Sequence, residues 1–137
     1  MPWPQPVKTL DTNVVVRLLI GDDPQQTPIA EQAFLSAIVT GGVYLPDVVL
    51  AEVAWVLRGY DLDRATRYQL LERLVRTRGV VVEDIDAVID ALEQFSLGGD
   101  LADQLILARA SSAAALPVLS FDRRFSASKG VELLSQG

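Results

Sequence analysis

The fold is decided by the first apolar stretch of the chain, Val7-Lys8-Thr9-Leu10-Asp11-Thr12-Asn13-Val14-Val15-Val16. Its opening residues predict a short strand, Val7–Leu10, and its apolar residues from Val14 onward continue as a helix as far as Ile20. Gly21 and the polar residues after it end that helix. Asp11 therefore marks the point where a strand ends and a helix follows.

The same alternation of strand and helix continues through the rest of the sequence. Helices are predicted at Val14–Ile20, Ile29–Val39, Val48–Leu57 with Asp47 as N-cap, from the N-cap Asp63 to about Arg76, Ala87–Phe95 and Leu101–Leu116, and strands at Val7–Leu10, Val43–Pro46, Val80–Val82, Val118–Ser120 and Val131–Leu133. With 137 residues the chain fits one domain. Units of this length predict an α/β fold with a parallel sheet and helices on both faces, in which ligands bind at the carboxyl ends of the strands.

Four acidic residues lie inside otherwise apolar runs, where carboxylates are rarely found unless they are paired or bind a metal. Two of them, Asp11 and Asp122, fall at the carboxyl ends of predicted strands, while Glu52 and Asp103 fall within predicted helices. If the fold brings the four together, their mutual repulsion requires a cation to offset it. The pattern therefore predicts a metal-dependent site that cleaves phosphodiesters.

The composition removes most other hydrolytic chemistry. The chain has no histidine and no cysteine, which excludes Ser-His-Asp and Cys-His nucleophiles, imidazole bases and the usual zinc sites. Oxygen ligands alone favour Mg²⁺ or Mn²⁺. The net charge of −6 weighs against a nucleic-acid partner, but six arginines crowd the segment from Arg58 to Arg78 and give that segment a basic character.

Each acid also has a purely structural interpretation. Asp11 and Asp122 suit the N-caps of the helical segments that follow them, and Asp100 with Asp103 resembles a capping box in which Asp100 is the cap. Glu52 has only apolar neighbours three and four positions away, so its alternative is a narrow solvent-facing stripe on its helix. These interpretations stay open for each residue alone, and the joint pattern of the four favours a site.

Four motifs in this order resemble the PIN-domain nucleases, and within that family the VapC-type toxins of bacterial toxin–antitoxin systems. The motifs are Leu10-Asp11-Thr12-Asn13-Val14, Leu50-Ala51-Glu52-Val53, Asp100-Leu101-Ala102-Asp103-Gln104-Leu105-Ile106 and Leu119-Ser120-Phe121-Asp122-Arg123-Arg124-Phe125. The resemblance implies a PIN-like three-layer α/β/α sandwich with a central, mainly parallel sheet over residues 7–134. The Pro-rich residues 1–6 are expected to form a flexible N-terminal tail. The resemblance also implies a set of catalytic, metal-binding acids, with accessory residues beside them: Asp11, Glu52, Asp103 and Asp122, and then Thr12, Asp100 and Ser120.

The function that the resemblance implies is a Mg²⁺- or Mn²⁺-dependent endoribonuclease, the toxin component of a VapBC-type pair. Its expected partners are the RNA substrate, a cognate antitoxin whose C-terminal segment lies in a hydrophobic groove, and a second copy of the chain in a homodimer. Arg64 and Arg67 are candidates for RNA binding. The absence of a signal peptide and of a long apolar run predicts a cytoplasmic protein with no membrane partner.

Three alternatives to a toxin stay open: a PIN-domain RNA-processing nuclease, a non-catalytic PIN-like scaffold, and a response-regulator receiver. A receiver needs an early acidic pair and a lysine after its last strands. Here Asp11 alone ends the first strand, and lysine occurs only at positions 8 and 129. Metal titration distinguishes the nuclease from the scaffold.

Overall fold

Short parallel strands alternate with helices along the chain in the computed structural model, which describes residues 7–135. The strands are β1 (Lys8–Thr9), β2 (Val43–Tyr44), β3 (Val80–Val81), β4 (Val118–Ser120) and β5 (Val131–Leu133), and the helices are α1 (Thr12–Ile20), α2 (Gln26–Thr40), α3 (Asp47–Leu57), α4 (Arg64–Arg76), α5 (Ile85–Ser96) and α6 (Leu101–Ser112). A 3₁₀ turn, Phe125–Ala127, lies between β4 and β5. This order of elements is the one that the sequence predicts. The predicted tail, residues 1–6, lies outside the described residues.

The strands form two parallel ladders. β1, β2 and β3 lie side by side in that order, with Val43 opposite both Lys8 and Val80, and β4 pairs with β5. The predicted parallel arrangement is confirmed, but between residues 7 and 135 no ladder joins β1 to β4. β1 is only two residues long and both are exposed, so it offers β4 little ladder and no apolar cover. The predicted single sheet is therefore divided in two.

The hydrophobic core centres on β2 of the three-stranded sheet, with helices around the sheet in a three-layer α/β/α arrangement. Val43 and Leu45 at β2 are fully buried, and so are Val15 on α1 and Val53 and Leu57 on α3. Helix α3 contacts α1, α4 and α6, and α5 contacts α4 and α6, so the helices form a continuous layer of packing. Burying one such Val or Leu side chain contributes roughly 1.5–3 kcal/mol.

Among the helices of residues 7–135, none combines the length and the apolar character that a bilayer crossing requires.

Helices α1, α2 and α5 begin two or three residues earlier than predicted. The apolar pattern shows only where a helix first faces the core. The helix itself begins before that point, as it does directly after the caps Asp11 and Asp84.

Two other predicted helix ends differ from the structure for clear physical reasons. Asp63 caps α4 as predicted, but Asp47 is the first residue of α3 and not its N-cap, since the extended Pro46 holds that position. Helix α6 ends at Ser112 and not at Leu116. Ala114 adopts a left-handed conformation, and the Ala115 N–H donates to the Ala110 carbonyl at 2.8 Å. This is a Schellman-type ending, and it stops the helix before Pro117 is reached.

Asp47 instead joins α3 to α6 through Arg109. The Arg109 guanidinium donates to both carboxylate oxygens of Asp47, and its Nη2 also donates to the Glu83 carbonyl at 2.7 Å. The Asp47 carboxylate accordingly raises the pKa of Arg109. Only about a quarter of either side chain is exposed, 27% for Arg109 and 23% for Asp47. One guanidinium thus ties two helices and the loop after β3 together.

We expect Arg109→Met to lower the free energy of unfolding by about 1–2 kcal/mol, because the half-buried Asp47 carboxylate loses its partner. Denaturant unfolding measures the change. Arg76→Met is the matched control, since it removes an exposed ion pair with Glu72 on one helix and should cost less than about 0.5 kcal/mol. Equal losses in the two variants would show that the Arg109 bridge contributes no more than a surface contact.

Candidate active site

The first group of predicted site residues lies where β1 ends and α1 begins. Asp11 is the N-cap of α1, and its Oδ1 accepts the Thr12 N–H at 2.7 Å. The buried Thr12 turns its hydroxyl toward α3 and donates to Glu52 Oε1 at 2.9 Å. Glu52 itself faces solvent. The hydrogen bond therefore fixes Glu52 beside the start of α1, although the two residues are forty positions apart in sequence.

A second group of acids, Asp100, Asp103 and Asp122, lines one cavity of about 440 Å³. Asp100 caps α6 by accepting the Asp103 N–H at 3.1 Å, and Asp122 accepts the Phe125 N–H at 3.0 Å. Ser120 accepts the Asp122 N–H through its hydroxyl, also at 3.0 Å. The capping interpretations of Asp100 and Asp122 are thus confirmed, and both residues also face the cavity.

The surroundings of Asp103 in the second group disfavour the charged form of its carboxyl group. Burial raises the pKa of its carboxyl group, and the negative charges of Asp100 and Asp122 raise it further. Asp103 is partly buried on the first turn of α6, whereas Asp100 and Asp122 are exposed. A cation bound here would relieve this repulsion.

Both groups of acids offer the same kind of ligand atom to a metal ion. Their ligand atoms are all carboxylate and hydroxyl oxygens, which suits the hard cations Mg²⁺ and Mn²⁺. In the part of the chain from residue 7 to 135, no set of three or more acidic side chains converges closely enough to hold an ion. Asp11 follows β1 and Asp122 follows β4, and these strands belong to different ladders.

Four arginines share the cavity with the second group of acids: Arg58, Arg64, Arg67 and Arg124. Arg64 and Arg67 were singled out from the sequence, whereas Arg124 was not. Its signal in the sequence is its place two residues after the candidate ligand Asp122, in the motif Asp122-Arg123-Arg124-Phe125. Trp55 and Phe95 complete the walls of the cavity.

Comparison with protein-family models identifies a PIN domain over residues 8–130, and the chain belongs to this family. The comparisons with curated proteins and with solved structures gave no match. PIN domains are generally nucleases and usually use divalent metal ions. The family supports a phosphodiester hydrolase acting on nucleic acid.

The raised pKa of Asp103 predicts a pH-dependent effect of Asp103→Asn on stability. The folded-state pKa lies above the ordinary value of 3.8, so the folded protein holds this proton more tightly than the unfolded chain. Stability is therefore lost as the pH rises from the unfolded-state pKa of Asp103 to its higher folded-state pKa, and the loss persists at higher pH. In EDTA, we therefore expect the stability of the variant relative to the parent to increase from about pH 3.5 to about pH 7.

Thermal unfolding of both proteins at the two pH values measures this difference. Asp90→Asn, on the exposed face of α5, controls for the change of one unit in net charge. If the two variants show the same trend with pH, the effect belongs to overall charge and Asp103 is not under special strain.

Proposed function

We propose that this PIN domain is a Mg²⁺- or Mn²⁺-dependent endoribonuclease. The observation that carries the proposal is the cavity at the start of α6, where three carboxylates of this oxygen-only site face four arginines. Carboxylates suit a divalent cation, and guanidinium groups suit the phosphates of a nucleic acid. A site that takes both ligands is what phosphodiester hydrolysis requires.

The acids of the two groups have distinct roles in this proposal. Asp11 and Asp103 are the central metal ligands, Glu52 binds the ion or orients the attacking water, and Asp122 is the outer ligand. When bound, the ion supplies an activated water and offsets charge on the leaving oxygen. Thr12 holds Glu52 through its hydroxyl at 2.9 Å.

The accessory residues act on the second group in the same way. Asp100 accepts the Asp103 N–H, and Ser120 accepts the Asp122 N–H. Both contacts fix the backbone from which a catalytic acid projects. Preorganisation of this kind lowers the entropy lost when a ligand is bound.

We further propose that the nuclease is the toxin of a VapBC-type pair. An apolar groove of about 650 Å³ between α1, α2 and α4 supports this, because it suits an amphipathic segment of an antitoxin. Its apolar walls are formed by Leu18, Leu19, Phe34, Leu35, Leu70 and Leu74. A small reading frame directly upstream, encoding a DNA-binding N-terminal domain, would identify that antitoxin.

A homodimer is part of the same proposal. Val48 on α3 and Ile106 on α6 are 62% and 52% exposed and line a shallow apolar groove together. Two-fold pairing through this groove would bury both side chains. Sedimentation equilibrium of the parent and of Val48→Glu tests the interface directly.

The nuclease proposal predicts RNA cleavage that EDTA abolishes and Mg²⁺ or Mn²⁺ restores. Asp11→Asn and Asp103→Asn should each lower the rate by about 100-fold or more, because each removes a proposed ligand while preserving side-chain shape. The measurement is cleavage of a pool of single-stranded RNA oligonucleotides, with circular dichroism to confirm the fold. Asp90→Asn should retain full activity. Cleavage that persists in excess chelator would exclude this mechanism.

The toxin proposal makes a separate prediction. Expression of the parent in a bacterial host should arrest growth, expression of Asp103→Asn should not, and co-expression of the upstream gene product should restore growth. Colony counts after induction measure the effect. RNA cleavage in vitro without growth arrest would instead indicate a PIN-domain nuclease of RNA processing.

A further inference from the structure

The cavity at the start of α6 is lined by four arginines beside three acids, and these arginines form no salt bridge with them. Among residues 7–135, the salt bridges involve only Arg76 and Arg109, so none of the four cavity arginines is paired with an acid. This is notable in a chain with 18 acidic and 12 basic residues. Unpaired guanidinium groups in one cavity repel one another, and an anion would remove that repulsion.

Arg64 has a structural role in this cluster. Its Nη1 donates to the carbonyls of Phe95 and Gly99 at 2.8 and 2.9 Å, and its guanidinium lies 5.0 Å from the centre of the Phe95 ring. Burial lowers the pKa of Arg64, and the charges of Arg67, Arg124 and Arg58 lower it further. Arg64 therefore holds the turn between α5 and α6 and adds to the positive field.

Arg67 and Arg124 are the members best placed to bind a ligand. Arg67 Nε is buried and, within the described part of the chain, is the one buried side-chain nitrogen or oxygen with no hydrogen-bond partner. The Arg124 guanidinium lies directly against Gly98, where an added Cβ would come within 2.6 Å of its Nη2. Gly98, at a φ of 115°, thus leaves the space that Arg124 occupies.

An exposed aromatic ring lies at the wall of the same cavity. Trp55 is 64% exposed, and the Arg58 guanidinium lies 4.6 Å from the centre of its ring. This pair suits a nucleotide, because the base stacks on the Trp55 ring and the anionic phosphate is attracted to the Arg58 guanidinium.

We propose that this cavity is the subsite for a single-stranded RNA segment, in which Arg67 and Arg124 bind a phosphate and Trp55 stacks the neighbouring base. Arg64 is a positioning residue, since it holds the turn that carries Asp100. The proposal rests on the nuclease function and assigns the substrate strand to specific side chains. An unpaired base is required, because a base inside a duplex does not expose its face to an aromatic side chain.

The first test measures binding without catalysis. In EDTA, fluorescence anisotropy follows a labelled single-stranded RNA of about ten nucleotides binding to the parent and to the double variant Arg67→Ala/Arg124→Ala. We expect at least a tenfold weaker Kd, and the slope of log K against log salt should become shallower by about 1.4 for two lost contacts. Arg64 is left intact, because its backbone hydrogen bonds would be lost with it.

Arg73→Ala/Arg78→Ala is the matched control. Both arginines are exposed, lie outside the cavity and change the net charge by the same amount. We expect less than a twofold change in Kd for this pair. Equal weakening in the two double variants, or an unchanged salt slope in the first, would overturn the phosphate assignment.

The second test addresses the stacked base. The chain has two tryptophans, so Trp3→Phe leaves Trp55 as the sole tryptophan reporter. Single-stranded RNA should quench its fluorescence and a duplex of the same sequence should not. Trp55→Ala should weaken binding at least fivefold and Trp55→Phe less than twofold. Equal quenching by duplex, or conversion of a dimer to a monomer by Trp55→Ala, would overturn the stacking assignment.

The two proposals fail in distinguishable ways. The binding tests are repeated in EDTA on Asp103→Asn, which should bind the RNA at least as tightly as the parent, since it loses a negative charge from the cavity, while failing to cleave it in Mg²⁺ or Mn²⁺. Binding as expected with no cleavage by the parent in Mg²⁺ or Mn²⁺ would leave the subsite standing and remove the nuclease. Cleavage by the parent together with unchanged RNA binding in Arg67→Ala/Arg124→Ala would leave the nuclease standing and remove the subsite.

Discussion

The site depends on charges of opposite sign that share one cavity without pairing. Asp100 and Asp122 each accept a backbone N–H, from Asp103 and Phe125, and Arg64 donates to two backbone carbonyls. These main-chain hydrogen bonds hold the side chains in place and keep carboxylates and guanidinium groups from collapsing onto one another. Direct ion pairs would use up the groups that a metal and a phosphate need. The main chain of the α5–α6 turn and of the turn after β4 therefore leaves both kinds of group available for the proposed metal and phosphate.

Capping and function are compatible in these acids. A carboxylate has two oxygens, and the hydrogen bonds of Asp11, Asp100 and Asp122 engage Oδ1 in each case. The cap fixes the side chain while the second oxygen remains for a ligand. The structural and catalytic interpretations drawn from the sequence were therefore never exclusive. The same economy applies to Thr12, whose buried hydroxyl orients Glu52 on another helix.

The sequence predicted the order and type of the elements, because apolar periodicity and Gly or Pro punctuation are local signals. It predicted the Asp63 cap for the same reason. It did not predict the Asp47–Arg109 bridge or the Thr12–Glu52 hydrogen bond, since both join residues at least forty positions apart. Nor could it show the division of the sheet, because strand pairing depends on which edges meet in space. Helix α6 ends early for a local reason that the sequence does not signal with a glycine. Ala114 adopts the left-handed conformation that glycine usually has at the end of a helix.

The negative net charge is compatible with an anionic substrate because the two effects act over different distances. At physiological ionic strength, charges separated by more than about 8 Å are largely screened from each other. Most of the acids that make up the net charge of −6 therefore act weakly on a phosphate within the cavity. The arginines lining that cavity act at contact distance, where screening by salt is least. The local arrangement of charge, and not its sum over the chain, decides what this surface attracts.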